Sequence, residues 1–290
     1  MKVCGFTIVR NAIKFDYPVI ESIMSVLPVC DKFIVCLGNS EDTTREAIEA
    51  LKDPKIEIID SVWDDSLREG GAVLAVETNK AFDAISDDYD WAFYIQADEV
   101  VHEKYHDEIR NSMQKYLGDT TVDGLLFHFQ HFYGNFKYVG DSRKWYRREI
   151  RIIRNNKNIR SYKDAQGFRI SGSNKLRAKL IDAYVYHYGW VKNPYFIKEK
   201  QKDFNRYWHS DEWIKKVVAE NQFFDFSDVD SLTLFKGSHP KVMLNRIAKR
   251  DWDFEFDISK KKFNLRLNIL HFIEKLTGIR VFEYKNYRKI

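Results

Sequence analysis

Two adjacent carboxylates stand directly after an apolar segment in the first third of the chain. The tetrapeptide Gln96-Ala97-Asp98-Glu99 follows the run Trp91–Ile95, which has the composition of a buried strand. Acidic side chains at the mouth of a sheet contribute little to packing, whereas carboxylate oxygens are the ligands that Mg²⁺ and Mn²⁺ prefer. The tetrapeptide therefore predicts a divalent cation held against a diphosphate, and chemistry on an activated, phosphate-bearing donor.

The composition is that of a globular protein with a sizeable core. The chain has 290 residues, of which 44% are hydrophobic and 31% charged, and its net charge of +4 is too small to predict nucleic-acid binding. Its three cysteines lack metal-ligand spacing, and their odd number argues against a disulfide framework. We predict reduced core cysteines in a cytoplasmic protein.

The apolar run at the N-terminus predicts a strand. Val3–Val9 is soon interrupted by Arg10 and Asn11, so it is too short for a signal peptide. No stretch of the sequence approaches the ~18–20 apolar residues of a membrane span.

The first hundred residues alternate apolar strand-like runs with helical patterns, which predicts a mainly parallel sheet covered by helices on both faces. In such sheets ligands bind beyond the carboxyl ends of the strands. Three polar groups fall at such ends: Arg10-Asn11, Asp60 and Asp98-Glu99. Their convergence at one rim predicts a binding site.

The pattern of apolar and polar residues changes after about residue 120. Strand-like runs at 125–129, 137–139, 149–153 and 183–188 carry aromatic and basic residues between them, and the chain after Trp190 has mostly helical patterns. We predict a catalytic domain over 1–190, with a donor-binding half at 1–120 and an acceptor-side half at 121–190. A helical C-terminal extension would follow at 191–290.

Four motifs along the first hundred residues resemble those of family 2 glycosyltransferases of the GT-A fold. That family has a strand ending in Arg-Asn, a Ser-x-Asp-x-Thr turn after strand two, an Asn-containing helix before strand four, and Asp-Ala-Asp-Glu after that strand. The matching segments are Thr7–Asn11, Ser40–Thr44, Thr78–Ala81 and Asp90–Glu99. Further on, Arg151–Asn155 resembles a strand of lipopolysaccharide-core members, and His187–Trp190 resembles the segment that carries a metal-binding His.

The resemblance implies a GT-A, Rossmann-like α/β fold and a metal-dependent, inverting transfer of a sugar from a nucleotide-sugar donor, a UDP-sugar by expectation. It implies Mn²⁺ or Mg²⁺ as cofactor and a cell-surface glycan or lipid-linked acceptor. Asp98 would be the direct metal ligand, with Glu99 and His187 as further ligands.

The donor-binding residues implied by the resemblance are six: Arg10, Asn11, Asp60, Asn79, Gln96 and Asp98. Two positions depart from the family pattern, because Leu37 stands where an Asp usually contacts the base or ribose and Gln96 replaces the first Asp of Asp-x-Asp. Asp60 could supply the missing base-recognising carboxylate.

An inverting transfer needs a carboxylate that takes the proton of the acceptor hydroxyl. The loop after the Arg151 strand offers Asp164 for this role, and Glu149 is the rival. Two other functions stay open: a degenerate GT-A module that binds glycan or a partner protein, and a nucleotidyltransferase.

The C-terminal segment is rich in basic residues from Lys260-Lys261-Lys262 to Arg288-Lys289. These side chains are either a solvated surface on packed helices or part of an amphipathic helix that docks on anionic lipid. The second interpretation predicts peripheral contact with the inner face of a membrane.

Overall fold

The computed structural model describes residues 1–67, 70–172, 174–205, 208 and 223–290. The strands are β1 Val3–Val9, β2 Lys32–Gly38, β3 Ile56–Ser61, β4 Trp91–Tyr94, β5 Glu99–Val101, β6 Gly124–Tyr133, β7 Asn135–Gly140, β8 Arg148–Arg154, β9 Ile159–Tyr162, β10 Gly167–Ile170, β11 Asn174–Lys175, β12 Arg177–Trp190, β13 Leu232–Leu234 and β14 Arg288–Lys289. The helices are α1 Val19–Val26, α2 Thr44–Glu49, α3 Ala72–Asp83, α4 His106–Lys115, α5 Pro194–Phe204, α6 Leu244–Ala248 and α7 Leu265–Thr277.

The N-terminal half is a parallel sheet in the order β3-β2-β1-β4, the Rossmann-like order. Strands β1, β2 and β4 are buried on both faces, where consecutive side chains point to opposite sides, while the edge strand β3 is partly exposed. Along β1, Val3 and Val9 pack in one core together with α1 and α4, while Phe6 and Ile8 pack in the other with α3. The predicted α/β fold, with a mixed sheet and helices on both faces, is confirmed.

The second half extends the same sheet with antiparallel strands. β8 runs antiparallel to both β4 and β6, and the long strand β12 lies parallel to β6 and antiparallel to β5. Strands β9, β10 and β11 form a separate small sheet. The predicted strands at 125–129, 137–139, 149–153 and 183–188 lie within β6, β7, β8 and β12.

The chain after Trp190 supplies α5, α6 and α7, and it also adds short strands to the main sheet. β13 pairs with β7, and β14 pairs with β12. The apolar spacing after Pro240 predicts a helix, and the structure has a 3-10 turn there, followed by the short α6. The sequence also predicts a helix from about Glu69 to Ile85. Its start lies outside the described residues, and α3 begins at Ala72.

Candidate active site

A cleft of about 280 Å³ opens at the carboxyl ends of β1 and β4. Five of the residues predicted from the sequence line it: Arg10, Gln96, Asp98, Asp164 and His187. They come from four separate parts of the chain. The main sheet brings Arg10, Gln96, Asp98 and His187 to one rim, and the loop between β9 and β10 adds Asp164.

Asp98 and His187 form the centre of the cleft. Their closest atoms, Asp98 Oδ2 and His187 Nε2, are 3.7 Å apart, and Asp98 is only 8% exposed. The pairing of β5 with β12 sets this distance, since the backbone N–H of Tyr188 donates to the Asp98 carbonyl at 2.8 Å. Gly189 is required beside them, because a Cβ there would lie 2.7 Å from both Asp98 Oδ2 and His187 Nε2.

A second histidine fixes the orientation of His187. His131 Nε2 lies 2.8 Å from the Tyr146 carbonyl and must therefore donate, while His131 Nδ1 lies 3.2 Å from His187 Nδ1. Burial and the neighbouring His187 lower the pKa of His131 to about 3, so its ring is neutral and its Nδ1 can only accept. His187 consequently donates through Nδ1 and presents Nε2 to Asp98. This nitrogen and the Asp98 carboxylate therefore face the same space, an arrangement that suits a bound cation.

Two lysines that the sequence analysis did not single out surround the same carboxylate. Lys200 of α5 places Nζ 3.5 Å from Asp98 Oδ2 and 4.7 Å from the centroid of the Tyr17 ring. Lys192 is fully buried, donates from Nζ to the Phe15 carbonyl at 2.7 Å, and also faces Tyr17.

These charges control the ionisation of the site. Burial alone would raise the pKa of Asp98, but the positive charges around it, chiefly His187 and Lys200, hold that pKa well below its usual range. Burial and the neighbouring Lys200 lower the pKa of Lys192. The cleft therefore holds an ionised carboxylate among cations, an arrangement suited to a phosphate-bearing anion.

Glu99 has a different partner from the one that the sequence predicted. Its carboxylate accepts two hydrogen bonds from the Arg151 guanidinium, at 2.6 and 2.7 Å, and both side chains are completely buried. Glu99 Oε2 also accepts from the backbone N–H of Gln96 at 3.2 Å. With both oxygens engaged away from the cleft, Glu99 is left out of the metal set proposed below.

Arg10 and Asn11, the two residues predicted at the end of β1, lie in different environments. Arg10 lines the cleft, donates to Asp65 at 2.8 Å and lies over the ring of Trp63, with 5.8 Å between the guanidinium carbon and the ring centroid. Asn11 is buried with a positive φ of 55°, and its side-chain oxygen accepts from the Glu41 backbone at 2.7 Å. Asn11 therefore fixes the loop, while Arg10 faces the space where a ligand would bind.

Two further donor-binding candidates lie outside the residues that line the cleft. Asp60 is exposed and pairs with Arg45. Asn79 accepts from the backbone N–H of Ser161 through its side-chain oxygen at 2.8 Å, which ties α3 to β9. Gln96, by contrast, lines the cleft, and its amide nitrogen donates to the Ala165 carbonyl at 3.3 Å.

The two candidate bases occupy different environments. Asp164 lies exposed in the β9–β10 loop at the edge of the cleft. Glu149 is 1% exposed, accepts from the side-chain amide of Asn286 at 3.3 Å, and does not line the cleft. Burial raises the pKa of Glu149 to about 7. Position favours Asp164 for contact with a substrate.

In the part of the chain that the structure describes, no group of three His, Cys, Asp or Glu side chains converges to hold a metal ion. What the cleft offers is the pair Asp98 and His187, one carboxylate oxygen and one imidazole nitrogen. Both are accepted ligands of Mn²⁺, and a bound diphosphate would supply further oxygens.

No family model and no curated protein matches the chain. Among solved structures it is similar to S. aureus TarS, with a TM-score of 0.41 and 12% identity over 70% of this chain, which spans 38% of TarS. The glucosyl-3-phosphoglycerate synthase from Mycobacterium tuberculosis, solved with Mn²⁺, UDP and glucosyl-3-phosphoglycerate, gives a TM-score of 0.30 and 14% identity over 46% of this chain and 44% of its own. The 4-diphosphocytidyl-2C-methyl-D-erythritol synthase from Anaerococcus prevotii gives 0.34 and 12% over 53% of this chain and 71% of its own. At such low identities and TM-scores, these similarities do not indicate the activity of this chain.

Proposed function

We propose that the protein is a metal-dependent glycosyltransferase that moves a sugar, with inversion, from a nucleotide-sugar donor to a glycan or lipid-linked acceptor. The observation that carries the proposal is the pair Asp98 and His187, oriented by His131 at the carboxyl end of a Rossmann-like sheet and flanked by Lys200. This arrangement suits a cation and a diphosphate together.

Asp98 and His187 are the residues that would hold Mn²⁺ or Mg²⁺. When bound there, the ion would neutralise charge on the departing nucleoside diphosphate. Lys200 would add a second positive charge beside the same phosphate oxygens. Its Nζ lies 3.5 Å from Asp98 Oδ2, so that carboxylate has a cationic neighbour even without a metal ion.

The other cleft residues divide into a donor side and an acceptor side. Arg10, after β1, and Trp63, after β3, lie close together and would bind the nucleoside or its phosphates. Gln96 would contact the sugar or ribose. We propose a UDP-sugar as donor. Asp164, at the edge of the cleft, would take the proton of the acceptor hydroxyl while the anomeric carbon is attacked from the face opposite the diphosphate.

The acceptor-side half, residues 121–190, would bind the growing cell-surface glycan. We keep the cytoplasmic location predicted from the sequence. All three cysteines are buried free thiols, which supports it.

The test combines calorimetry with a donor screen. Nucleoside diphosphates are titrated into the protein with and without Mn²⁺, and release of the nucleotide is followed over common nucleotide sugars. Asp98→Asn and His187→Gln should weaken Mn²⁺-dependent binding of the nucleoside diphosphate at least about tenfold. Asp164→Asn is the matched control, because it lines the same cleft and should retain binding while losing transfer.

The outcome also decides between the rival functions. Binding of glycan without any Mn²⁺-dependent nucleotide binding would indicate a non-catalytic module. Release of pyrophosphate from a nucleoside triphosphate would indicate a nucleotidyltransferase. Either result would contradict the proposal.

A further inference from the structure

Helix α7 presents a row of large apolar side chains to solvent. Leu265, Ile269, Phe272 and Leu276 recur at helical spacing and are 79%, 52%, 64% and 70% exposed, and Ile279 continues the row at 63%. No residue of α7 is buried. A contiguous apolar surface of this kind on a globular protein marks an interaction site.

The helix has defined ends. The Asn264 side chain caps it by accepting from the Leu267 backbone at 2.9 Å, and Gly278 ends it with a φ of 69°.

Polar contacts fix the side of α7 opposite the row. Glu274 accepts from Arg143 at 2.9 Å and from Arg280 at 2.8 and 3.0 Å, and it lies 3.5 Å from Arg147. The row therefore points away from the protein because the opposite side of the helix is held down by ion pairs.

The surroundings of the row are strongly basic. Between Ser259 and Ile290 the sequence has nine lysines and arginines but only two acidic residues, Glu274 and Glu283, while the whole chain carries only +4. Both acids are bonded to arginines. Arg266 and Lys275 on the helix are exposed.

Two aromatic residues extend the apolar surface beyond the helix. Phe282 and Tyr284 are 83% and 74% exposed. Aromatic side chains combined with lysines and arginines are typical of helices that lie in the headgroup region of a bilayer.

We propose that α7 and the residues up to Tyr284 dock in the plane of an anionic lipid membrane, with the apolar row at the boundary of headgroups and acyl chains. The positive charge around the apolar row favours an anionic membrane over a second copy of the chain as the partner that covers it. Two copies would bring together two surfaces of the same positive sign, whereas anionic headgroups complement them. Among the described residues, no helix has the length and apolar character needed to cross a bilayer.

The experiment measures binding of the full chain to vesicles by cosedimentation. One set of vesicles is phosphatidylcholine alone, and the other contains phosphatidylcholine and phosphatidylglycerol in equal parts. The protein should bind the anionic vesicles at least about tenfold more tightly, and added salt should weaken that binding.

The apolar row is tested by the double variant Leu265→Gln/Phe272→Gln, which should lose about tenfold or more of the affinity for anionic vesicles. Lys260→Gln/Lys262→Gln should weaken binding and reduce its dependence on salt. Val76→Gln is the matched control, because Val76 is an exposed apolar residue, at 39%, on the separate helix α3. Far-UV circular dichroism confirms that each variant is folded.

Equal binding to neutral and anionic vesicles would overturn the proposal, and so would unchanged binding of the Leu265/Phe272 variant. Sedimentation velocity tests whether a second copy of the chain covers the apolar row instead. A dimer that the apolar variants dissociate, together with no vesicle binding, would show that a second copy covers the row. None of these measurements involves the cleft, so their outcome is independent of the glycosyltransferase proposal.

Discussion

The buried ion pair of Glu99 and Arg151 gives a direct test of how the two adjacent acids divide their roles. Two charge-assisted hydrogen bonds of 2.6 and 2.7 Å join the side chains, and neither is exposed. Glu99→Gln removes the negative charge and leaves the guanidinium buried, which should lower the free energy of unfolding by about 3–5 kcal/mol. The exposed pair of Arg45 and Glu49 is the matched control, and Glu49→Gln should cost less than about 1 kcal/mol.

The assay pairs urea denaturation with calorimetric titration of Mn²⁺ in the presence of UDP. For Glu99→Gln we expect a large loss of stability, while the protein that remains folded binds Mn²⁺ as before. For Asp98→Asn we expect the reverse, a folded protein with weakened Mn²⁺ binding. If Glu99→Gln kept its stability and lost Mn²⁺ binding, Glu99 would be a ligand and the structural assignment would be refuted.

Three further predictions follow from the geometry of the site. Gly189→Ala should weaken Mn²⁺-dependent UDP binding about tenfold or more without unfolding the protein, as measured by calorimetry, because its Cβ would lie 2.7 Å from Asp98 Oδ2. Lys200→Met should raise the affinity for Mn²⁺ alone, because a competing cation beside Asp98 is lost, and should lower the affinity for UDP, because a partner of the phosphates is lost. Lys202→Met, on the same helix, should change neither affinity. The pKa of Glu149 rises from 4.5 to about 7 on folding, so the folded state retains a proton that the unfolded chain releases, and stability should fall as pH rises between these values. Glu149→Gln should remove that decline in urea titrations at pH 5 and pH 8, and an unchanged decline would contradict the assignment.

The sequence predicted the sheet and the rim of the site because both follow from local pattern. Continuous apolar runs define β1, β2 and β4, and the polar residues after them mark strand ends that a parallel sheet must bring together. For this reason Arg10, Gln96 and Asp98 were found without the structure. His187 was predicted from the resemblance of His187–Trp190 to a metal-binding segment of the family.

The residues that the sequence did not reveal depend on long-range packing. Lys200 reaches Asp98 only because α5 folds back over the cleft, and no local pattern encodes that return. The contact of His131 with His187 arises from the pairing of β6 with β12. The sequence could, by contrast, have predicted that Glu99 points away from Asp98, because adjacent side chains in an extended segment point to opposite faces.

The register between β5 and β12 affects both the stability of the sheet and the geometry of the cleft. In the pairing of β5 with β12, His187 lies opposite Glu99, which directs Glu99 towards Arg151 and leaves Asp98 beside Nε2 of His187. A shift by one residue would exchange the two faces of the strand. It would turn Glu99 towards the cleft and leave the Arg151 guanidinium buried without its carboxylate, at a cost of several kcal/mol. The ion pair therefore stabilises the native register against this shift, and the acid to which we assign no ligand role contributes to the placement of the proposed metal-binding acid.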